Sequence, residues 1–343
     1  MIKICHLLDQ TLENRVGGVE FINDLFFKKN KSKRFSHQLL DAKYFNLLEP
    51  YPLINHFQTK FLHKKVDCEA IHIHQIQPYG LNSLIQLAQK IPCIFTLHDY
   101  YLFCQKSTYY HETKSICKSP AFFKCSLCNS NNIKGVFLPA FFYFRSKKVE
   151  IFLKFVKKII LPNQELLKLI PKKYHYKCNI IHYAVPQQNT NHQIKKSFVY
   201  LGTLANHKGI FQLIEDLQKV AFNEELHIYS PNSFTQKVPH FVKHKGLMTN
   251  KSLLSQYKAL IIPSLWKETG PIVLQEALSA KTEVILYNSP ISTDYSCLNG
   301  VHKISSACKL QNFIPQNFEL NIYSLKESIK KHENIYLQLS KDA

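Results

Sequence analysis

Ile261-Ile262-Pro263-Ser264-Leu265-Trp266-Lys267-Glu268-Thr269-Gly270-Pro271-Ile272-Val273-Leu274-Gln275-Glu276-Ala277-Leu278 decides the fold. Leu260, Ile261 and Ile262 make a short apolar run stopped by Pro263, as a buried parallel strand stops. Gly270 then frees the backbone. Pro271 suits a first helical position, where its missing N–H costs nothing, and the pattern from Ile272 onward is apolar and helical. The orphan amides of Gly270, Ile272 and Val273 are expected to point outward with the positive end of the helix behind them, a seat for phosphate.

Two carboxylates bracket that seat, Glu268 in the loop and Glu276 about a turn and a half inside the helix. On one continuous helix, residues eight apart would be offset by about 80° and separated by roughly 12 Å. With one of them in the loop, both can face one pocket. Two glutamates beside an anion are costly unless the ligand brings hydroxyls to pair with them. A nucleotide-sugar does so: its diphosphate takes the amides, its ribose one Glu and its sugar the other. Two glutamates eight apart are a common pattern, and alone they would read as surface carboxylates. The whole string Pro-Ser-x-Trp-x-Glu-x-Gly-Pro-x-x-x-x-Glu-Ala-Leu is much more specific. It resembles the Glu-x7-Glu motif of retaining GT-B glycosyltransferases of the large family four.

Other segments carry the same resemblance. Arg15-Val16-Gly17-Gly18-Val19-Glu20 follows the first strand candidate, and two glycines there let the backbone approach a phosphate or sugar. Read alone, the pair fits a plain turn equally well. Tyr200-Leu201-Gly202-Thr203-Leu204-Ala205-Asn206-His207-Lys208-Gly209 is similar to the family's Gly-x-Leu-x-x-x-Lys-Gly element. There the resemblance gives Lys208 the donor diphosphate as a mobile point charge. Many members carry Arg where this chain has Thr203, whose hydroxyl is a weaker donor. Thr96-Leu97-His98-Asp99 resembles the Thr-x-His-Asp element, which places His98 beside the donor sugar and acceptor hydroxyl. Its implied role is to position groups, because the leaving diphosphate accepts the acceptor's proton in an ion-pair-like step. His72 reads as structural and His74 as a candidate cleft-lining residue. Neither glycine turn has the Gly-x-Gly-x-x-Gly of a dinucleotide site.

At 343 residues, with 45% hydrophobic and 20% charged side chains, the chain is long enough for two globular domains. Strand candidates at 2–8, 70–74, 92–97, 158–161, 198–202, 226–230, 259–263 and 283–287 alternate with helical patterns, which is the signature of α/β layers. The expected fold class is α/β, a GT-B arrangement of two Rossmann-like doubly wound domains facing a central cleft. Residues 1–187 would form the acceptor-binding domain, 188–196 a polar linker and 197–319 the nucleotide-sugar domain. Residues 320–343 would form a C-terminal helix crossing back to the first domain.

The net charge of +20 is unevenly spread, +17 over residues 1–196 and +3 over 197–343. Lys28, Lys29, Lys31, Lys33 and Arg34 form one cluster, and Lys60, Lys64 and Lys65 another. The longest is Arg145, Lys147, Lys148, Lys154, Lys157 and Lys158, interleaved with Phe141, Phe142, Phe144, Ile151, Phe152, Phe155 and Val156. This third stretch fits either an anionic membrane surface or a core-facing helix with a solvated lysine face. No helix-turn-helix, RNA-recognition or zinc-finger pattern accompanies the charge, so nucleic acid is not an expected partner. The N-terminal run is too short for a signal peptide and no apolar stretch is long enough to span a bilayer, so a cytoplasmic protein, peripheral on the inner face of the cell membrane, is expected.

Of ten cysteines, Cys104, Cys117, Cys125 and Cys128 fall in one insertion of about residues 103–130 that ends in Cys-x-x-Cys. They read either as a structural zinc site or as plain buried thiols. No cofactor is expected at the active site, since no Asp-x-Asp occurs to hold a metal at the diphosphate.

The resemblance therefore implies a retaining, metal-independent transferase acting in cell-surface polysaccharide assembly. Its donor would be a UDP-, GDP- or ADP-sugar, and its acceptor a glycan or a lipid-linked glycan. Donor contacts would come from Gly17, Gly18, Thr203, Lys208, Gly270, Pro271, Ile272, Val273 and Glu276, with His98 and Glu268 as the catalytic pair. The rival readings are a nucleotide-sugar epimerase on the same scaffold and a degenerate GT-B protein that binds a glycan or membrane partner without turnover. Thr203, Lys281 (where the family has glycine) and Ser289-Pro290-Ile291-Ser292 (where it has a Gly-Gly loop) favour the last.

Overall fold

The computed structural model describes residues 1–8, 18, 26, 32–40, 67–111, 115–117, 125, 128, 138–188 and 197–341. Gly17, Lys28, Lys29, Lys31, Lys60, Lys64, Lys65 and most of the proposed linker lie outside them. The chain runs β1 (Ile2–Leu7), β2 (Phe35–Leu40), β3 (Ala70–Ile73), α1 (Leu81–Lys90), β4 (Cys93–Thr96), β5 (Tyr110–His111), β6 (Ser115–Ile116), α2 (Leu138–Phe155), β7 (Lys158–Leu161) and β8 (Cys178–Ile180). It continues as β9 (Phe198–Leu201), α3 (Ile210–Lys219), β10 (Leu226–Tyr229), β11 (Val242–His244), β12 (Ala259–Ile262), α4 (Ile272–Ser279), β13 (Glu283–Tyr287), α5 (Thr293–Ser296), β14 (Val301–Ile304), α6 (Ala307–Gln311) and α7 (Leu325–Lys341). Two compact units result, one of Met1–Ser107, Lys118–His182 and Lys326–Ala343, the other of Thr108–Cys117 and Tyr183–Leu325.

The first unit is built on a six-stranded sheet of order β2-β1-β3-β4-β7-β8, parallel throughout. Its central strands β3 and β4 are buried at every residue; Cys93, Ile94 and Phe95 of β4 read as a continuous apolar run, whereas β3 places His72 between Ile71 and Ile73. α1 and α2 pack together beside the sheet. On α2, Phe142, Arg145, Val149, Phe152 and Leu153 are buried at helical spacing, while Tyr143, Phe144 and Ile151 are exposed. Arg145 is thus not part of a surface charge patch. It lies over the Tyr101 ring at 4.8 Å and donates to the Tyr101 carbonyl. The helix ends on an unusual cap: the buried ammonium of Lys177 donates to the carbonyls of Leu153 (3.0 Å), Lys154 (2.7 Å) and Val156 (2.8 Å). A cation there meets both the orphan carbonyls and the negative end of the helix dipole.

The second unit has its own six-stranded parallel sheet, of order β11-β10-β9-β12-β13-β14. Numbered from β9 this is 3-2-1-4-5-6, the Rossmann order, which reverses direction between β9 and β12. The sheet is filled from both sides. Phe198, Tyr200, Ile228, Ile261 and Ile285 pack with α3, and Val199, Leu260, Ile262, Val284 and Leu286 pack with α4.

The last helix begins later than the sequence pattern from Leu320 indicates. Leu320, Ile322 and Tyr323 pack on the second unit's core, and the Tyr323 amide donates to Gln275 Oε1 at 3.3 Å. Those residues are therefore extended. Helix α7 starts at Leu325 and packs Ile335, Tyr336 and Leu339 against Ile4, Phe35, Ala70 and Ile94 of the first sheet.

Candidate functional site

In an open parallel sheet, the first strand pair whose connections leave in opposite directions opens a crevice at the carboxyl ends of its strands. In the second unit that pair is β9 and β12. The two motif-bearing loops, 202–209 and 263–271, leave these two ends. Gly209 joins them. Its φ is +70°, and a Cβ there would stand 2.8 Å from the carbonyl carbon of Pro263 and closer still to its oxygen. Glycine is needed on both counts. The Leu265 amide donates to the His207 carbonyl at 2.9 Å, a second link between the loops.

Around this junction the charged groups assemble. The Lys208 ammonium lies 2.8 Å from Glu268 Oε1 and 5.3 Å from the centre of the Trp266 ring, whose edge His207 also meets. Ser264 Oγ donates to the same carboxylate oxygen. Burial alone would raise the Glu268 pKa, but Lys208 and Ser264 outweigh it and hold the carboxyl below its ordinary value. Glu276 behaves oppositely. It is buried in α4 and pairs with Lys251 at 3.1 Å, yet desolvation wins and raises its pKa. Environment therefore drives the two carboxyls apart, one held as a carboxylate and the other nearer to accepting a proton.

Pro271 occupies the position before the first helical residue, Ile272, one place earlier than the sequence suggests, with φ −77° and ψ 94°. No side chain caps this end, so the first-turn amides depend on other partners. Gly270 is required for space. A Cβ there would meet Tyr183 Cε2 at 2.5 Å, and the Tyr183 amide points at the Tyr295 hydroxyl, 3.4 Å away. Thr203 is exposed, and its carbonyl accepts from the Tyr200 hydroxyl at 2.7 Å. At the far end of α4, Lys281 has φ +56°, with Thr282 N–H bonded to Ala277 O and Lys281 N–H to Leu278 O, both 2.9 Å. This is the left-handed closure for which glycine is preferred, so the family's glycine there has a geometric reason that lysine meets under strain. In the loop after β13, the Ser289 and Ser292 hydroxyls are buried without a hydrogen-bond partner.

In the first unit, His98 lies just past β4 and is buried. Its Nε2 is 2.9 Å from Nδ1 of His74, and burial pushes its pKa down to about 3. Such an imidazole is neutral at pH 7, suited to positioning rather than to taking up a proton. The neighbouring Asp99 accepts from the Tyr101 amide at 2.7 Å. Gly18 is helical and exposed. His72 and His74 are both buried, and they belong to a larger array that the sequence reading missed. It includes His6, His37, His332 and Tyr336. Cys104, Cys117, Cys125 and Cys128 are each half-buried. Among the described residues, the donor atoms that converge closely enough for one metal ion belong to His6, His72 and His74.

Two six-stranded parallel sheets, each with helices on it, define the chain as a protein of GT-B fold. Solved structures share that fold across the whole chain. A glycosyltransferase involved in avilamycin A biosynthesis, AviGT4, is 12% identical with a TM-score of 0.58, over 100% of this chain and 99% of that one. Sucrose-phosphate synthase from Thermosynechococcus elongatus is 12% identical with a TM-score of 0.65, over 100% of both chains. Anabaena Alr3699/HepE, in complex with UDP and glucose, is 13% identical with a TM-score of 0.56, over 91% of this chain and 88% of that one. No family model matches the sequence, and no curated protein does.

Proposed function

We propose that the chain is a glycosyltransferase that moves a sugar from a nucleotide-sugar onto a glycan or lipid-linked acceptor. The observation that carries this reading is the junction at the second sheet's switch point. Gly209, Lys208, Glu268 and the open start of α4 sit on two adjoining loops there, beside a crevice of the kind that holds nucleotides. An ammonium has three donors, and Glu268 takes one of those on Lys208, so phosphate oxygens can take the others. The amides of Gly270, Ile272 and Val273 would complete the diphosphate seat, Glu276 would hold the ribose and Glu268 the sugar. The charge stabilising the leaving diphosphate would then be supplied without a metal.

The finer reading is a retaining reaction like that of family four. In it the diphosphate itself accepts the acceptor's proton, and His98, neutral at working pH, orients hydroxyls. The relatives of like fold support the donor class by what their structures hold, UDP with glucose in HepE. We further propose cell-surface glycan assembly on the inner face of the membrane. The basic first half supports it, as do Tyr143, Phe144 and Ile151, exposed on α2 next to Lys147 and Lys154. No helix of the described residues is long and apolar enough to cross a membrane.

The test is a thermal-shift panel of UDP, GDP, ADP and their sugar conjugates, with Lys208→Ala and Glu276→Ala beside the native chain. One nucleotide class should stabilise the native chain and lose at least tenfold in affinity in both variants. No shift at millimolar concentration with any nucleotide would leave the non-catalytic reading in its place.

A further inference from the structure

One face of the first unit's sheet is lined with imidazoles. Side chains alternate across a strand, and the parallel register pairs Ile4 with His37, His6 with His72 and His72 with Ile94. Hence His6, His37, His72 and Thr96 project from the same face, and His74 and His98, just past β3 and β4, join them through the His6–His74 and His74–His98 contacts. Helix α7 covers that face with His332 and Tyr336, whose rings lie 6.0 and 5.9 Å from the ring of His72. The array sits at the ends of β1 and β3, where the order β2-β1-β3-β4 changes direction.

We propose that His6, His72 and His74 bind one divalent transition-metal ion of the zinc class. Their donor atoms all lie within 4.8 Å of one another. His6 Nδ1 and His74 Nε2 face each other at 3.0 Å. An ion about 2.0–2.1 Å from each nitrogen in tetrahedral geometry would hold two such atoms about 3.3–3.4 Å apart, so this pair need open by only a few tenths of an ångström. The opposite nitrogen of each ring is already held. His6 Nε2 meets His37 Nδ1 at 3.0 Å, His74 Nδ1 meets His98 Nε2 at 2.9 Å, and His72 Nε2 meets Thr96 Oγ1 at 2.6 Å. Such outer contacts fix tautomer and ring orientation in imidazole ligands. The remaining nitrogen of His72, Nδ1, is hydrogen-bonded to the Tyr336 hydroxyl at 2.8 Å, a bond that the ion would replace.

The donor set selects the class of ion. Three imidazoles without a carboxylate suit zinc, cobalt, nickel or copper and are poor ligands for magnesium or calcium. Burial holds all three rings neutral, the form that binds metal. The site would also act on His98. With His74 Nε2 on the ion, its Nδ1 carries the proton and donates to His98 Nε2, so the proton of His98 is placed on its Nδ1. The same contacts also allow a metal-free reading, a chain of neutral imidazole hydrogen bonds from His37 through His6 and His74 to His98.

The experiment uses the full chain, stripped with a chelator, loaded with zinc or cobalt and desalted. Elemental analysis should find about one equivalent retained. The cobalt form should show tetrahedral-type visible bands without thiolate-to-cobalt charge transfer. Affinity should fall at least tenfold in His6→Gln and in His74→Gln, and stay within twofold in Cys104→Ser/Cys125→Ser. No retention by the native chain, unchanged retention in both histidine variants, or a thiolate band lost with the cysteines would each overturn the proposal. If the histidine variants do not fold, stoichiometry and the cobalt spectrum of the native chain decide alone. Neither readout involves nucleotide, so the result stands apart from the transferase reading.

Discussion

The junction at Gly209 can be tested against an internal control. Gly209 and Gly246 both belong to the second unit and have nearly the same backbone, φ +70° and +72°. Alanine at either position must adopt the left-handed region, at a cost of roughly 1–2 kcal/mol. Their surroundings differ completely. Nothing lies within 4 Å of a Cβ at Gly246, whereas at Gly209 it would run into the Pro263 carbonyl, with Leu265 Cγ a further 3.2 Å contact. That carbonyl is backbone just past β12 and would have to retreat by about 1.5 Å to regain van der Waals separation, an overpacking strain worth about 1–3 kcal/mol. We therefore expect Gly246→Ala to cost about 1–2 kcal/mol and Gly209→Ala about 2–5 kcal/mol by urea denaturation. The retreat also separates Lys208 from Glu268 and the start of α4. Nucleotide affinity should then fall at least tenfold in Gly209→Ala and stay within twofold in Gly246→Ala. Equal losses of stability, or intact nucleotide binding in Gly209→Ala, would refute the claim that close approach of the two loops builds the site.

Lys177→Met should destabilise the first unit by about 2–4 kcal/mol, because three helix-end carbonyls lose a charged donor inside the protein; a urea midpoint within error of the native one would sink this. Lys281→Gly should stabilise by about 1 kcal/mol, the left-handed cost less the entropy of an added glycine, and a loss of stability would show that the lysine side chain matters more than the backbone. Acid should unfold the first unit early: its imidazoles have folded pKa values depressed by burial, to about 3 at His98 and about 4 at His37 and His332, against 6.5 when unfolded. Their stabilisation is complete above pH 6.5 and shrinks as pH falls, by about 1 kcal/mol per ring between pH 6.5 and 5.5, so urea midpoints should drop steeply over that window and a flat profile would count against neutral burial. Tyr143→Ser/Phe144→Ser should abolish flotation with anionic liposomes at low salt if α2 docks there; flotation equal to the native chain would remove α2 from the contact.

What the sequence showed and hid follows from how far each feature reaches along the chain. The proposed donor seat is local: strand end, loop, glycine and helix start fall within 259–278, and each residue type speaks for its own backbone. Interior strands were legible for a similar reason, since β3, β4, β12 and β13 are buried at every residue and are mostly apolar, with His72, Thr96 and Glu283 as the polar members. The edge strands were not. Phe-Ser-His-Gln-Leu-Leu of β2, Cys-Asn-Ile of β8, Val-Lys-His of β11 and Val-His-Lys-Ile of β14 are short and mixed, because one side of each meets solvent or a loop. The partners of the paired carboxylates illustrate a second limit. Lys251 lies 25 positions from Glu276, on a separate 3-10 turn, and no spacing rule connects them. The imidazole array is the extreme case. Its local trace was visible in Ile71-His72-Ile73-His74, where histidine takes every second place on a buried strand. What that trace lacked was register: only the pairing of His6 with His72, and of Tyr336 with a ring 264 residues away, turns scattered histidines into one surface. A period of two on a central strand, with the polar phase occupied by histidine, already implies that something on that face must receive the nitrogens, and here four strands and a C-terminal helix supply it.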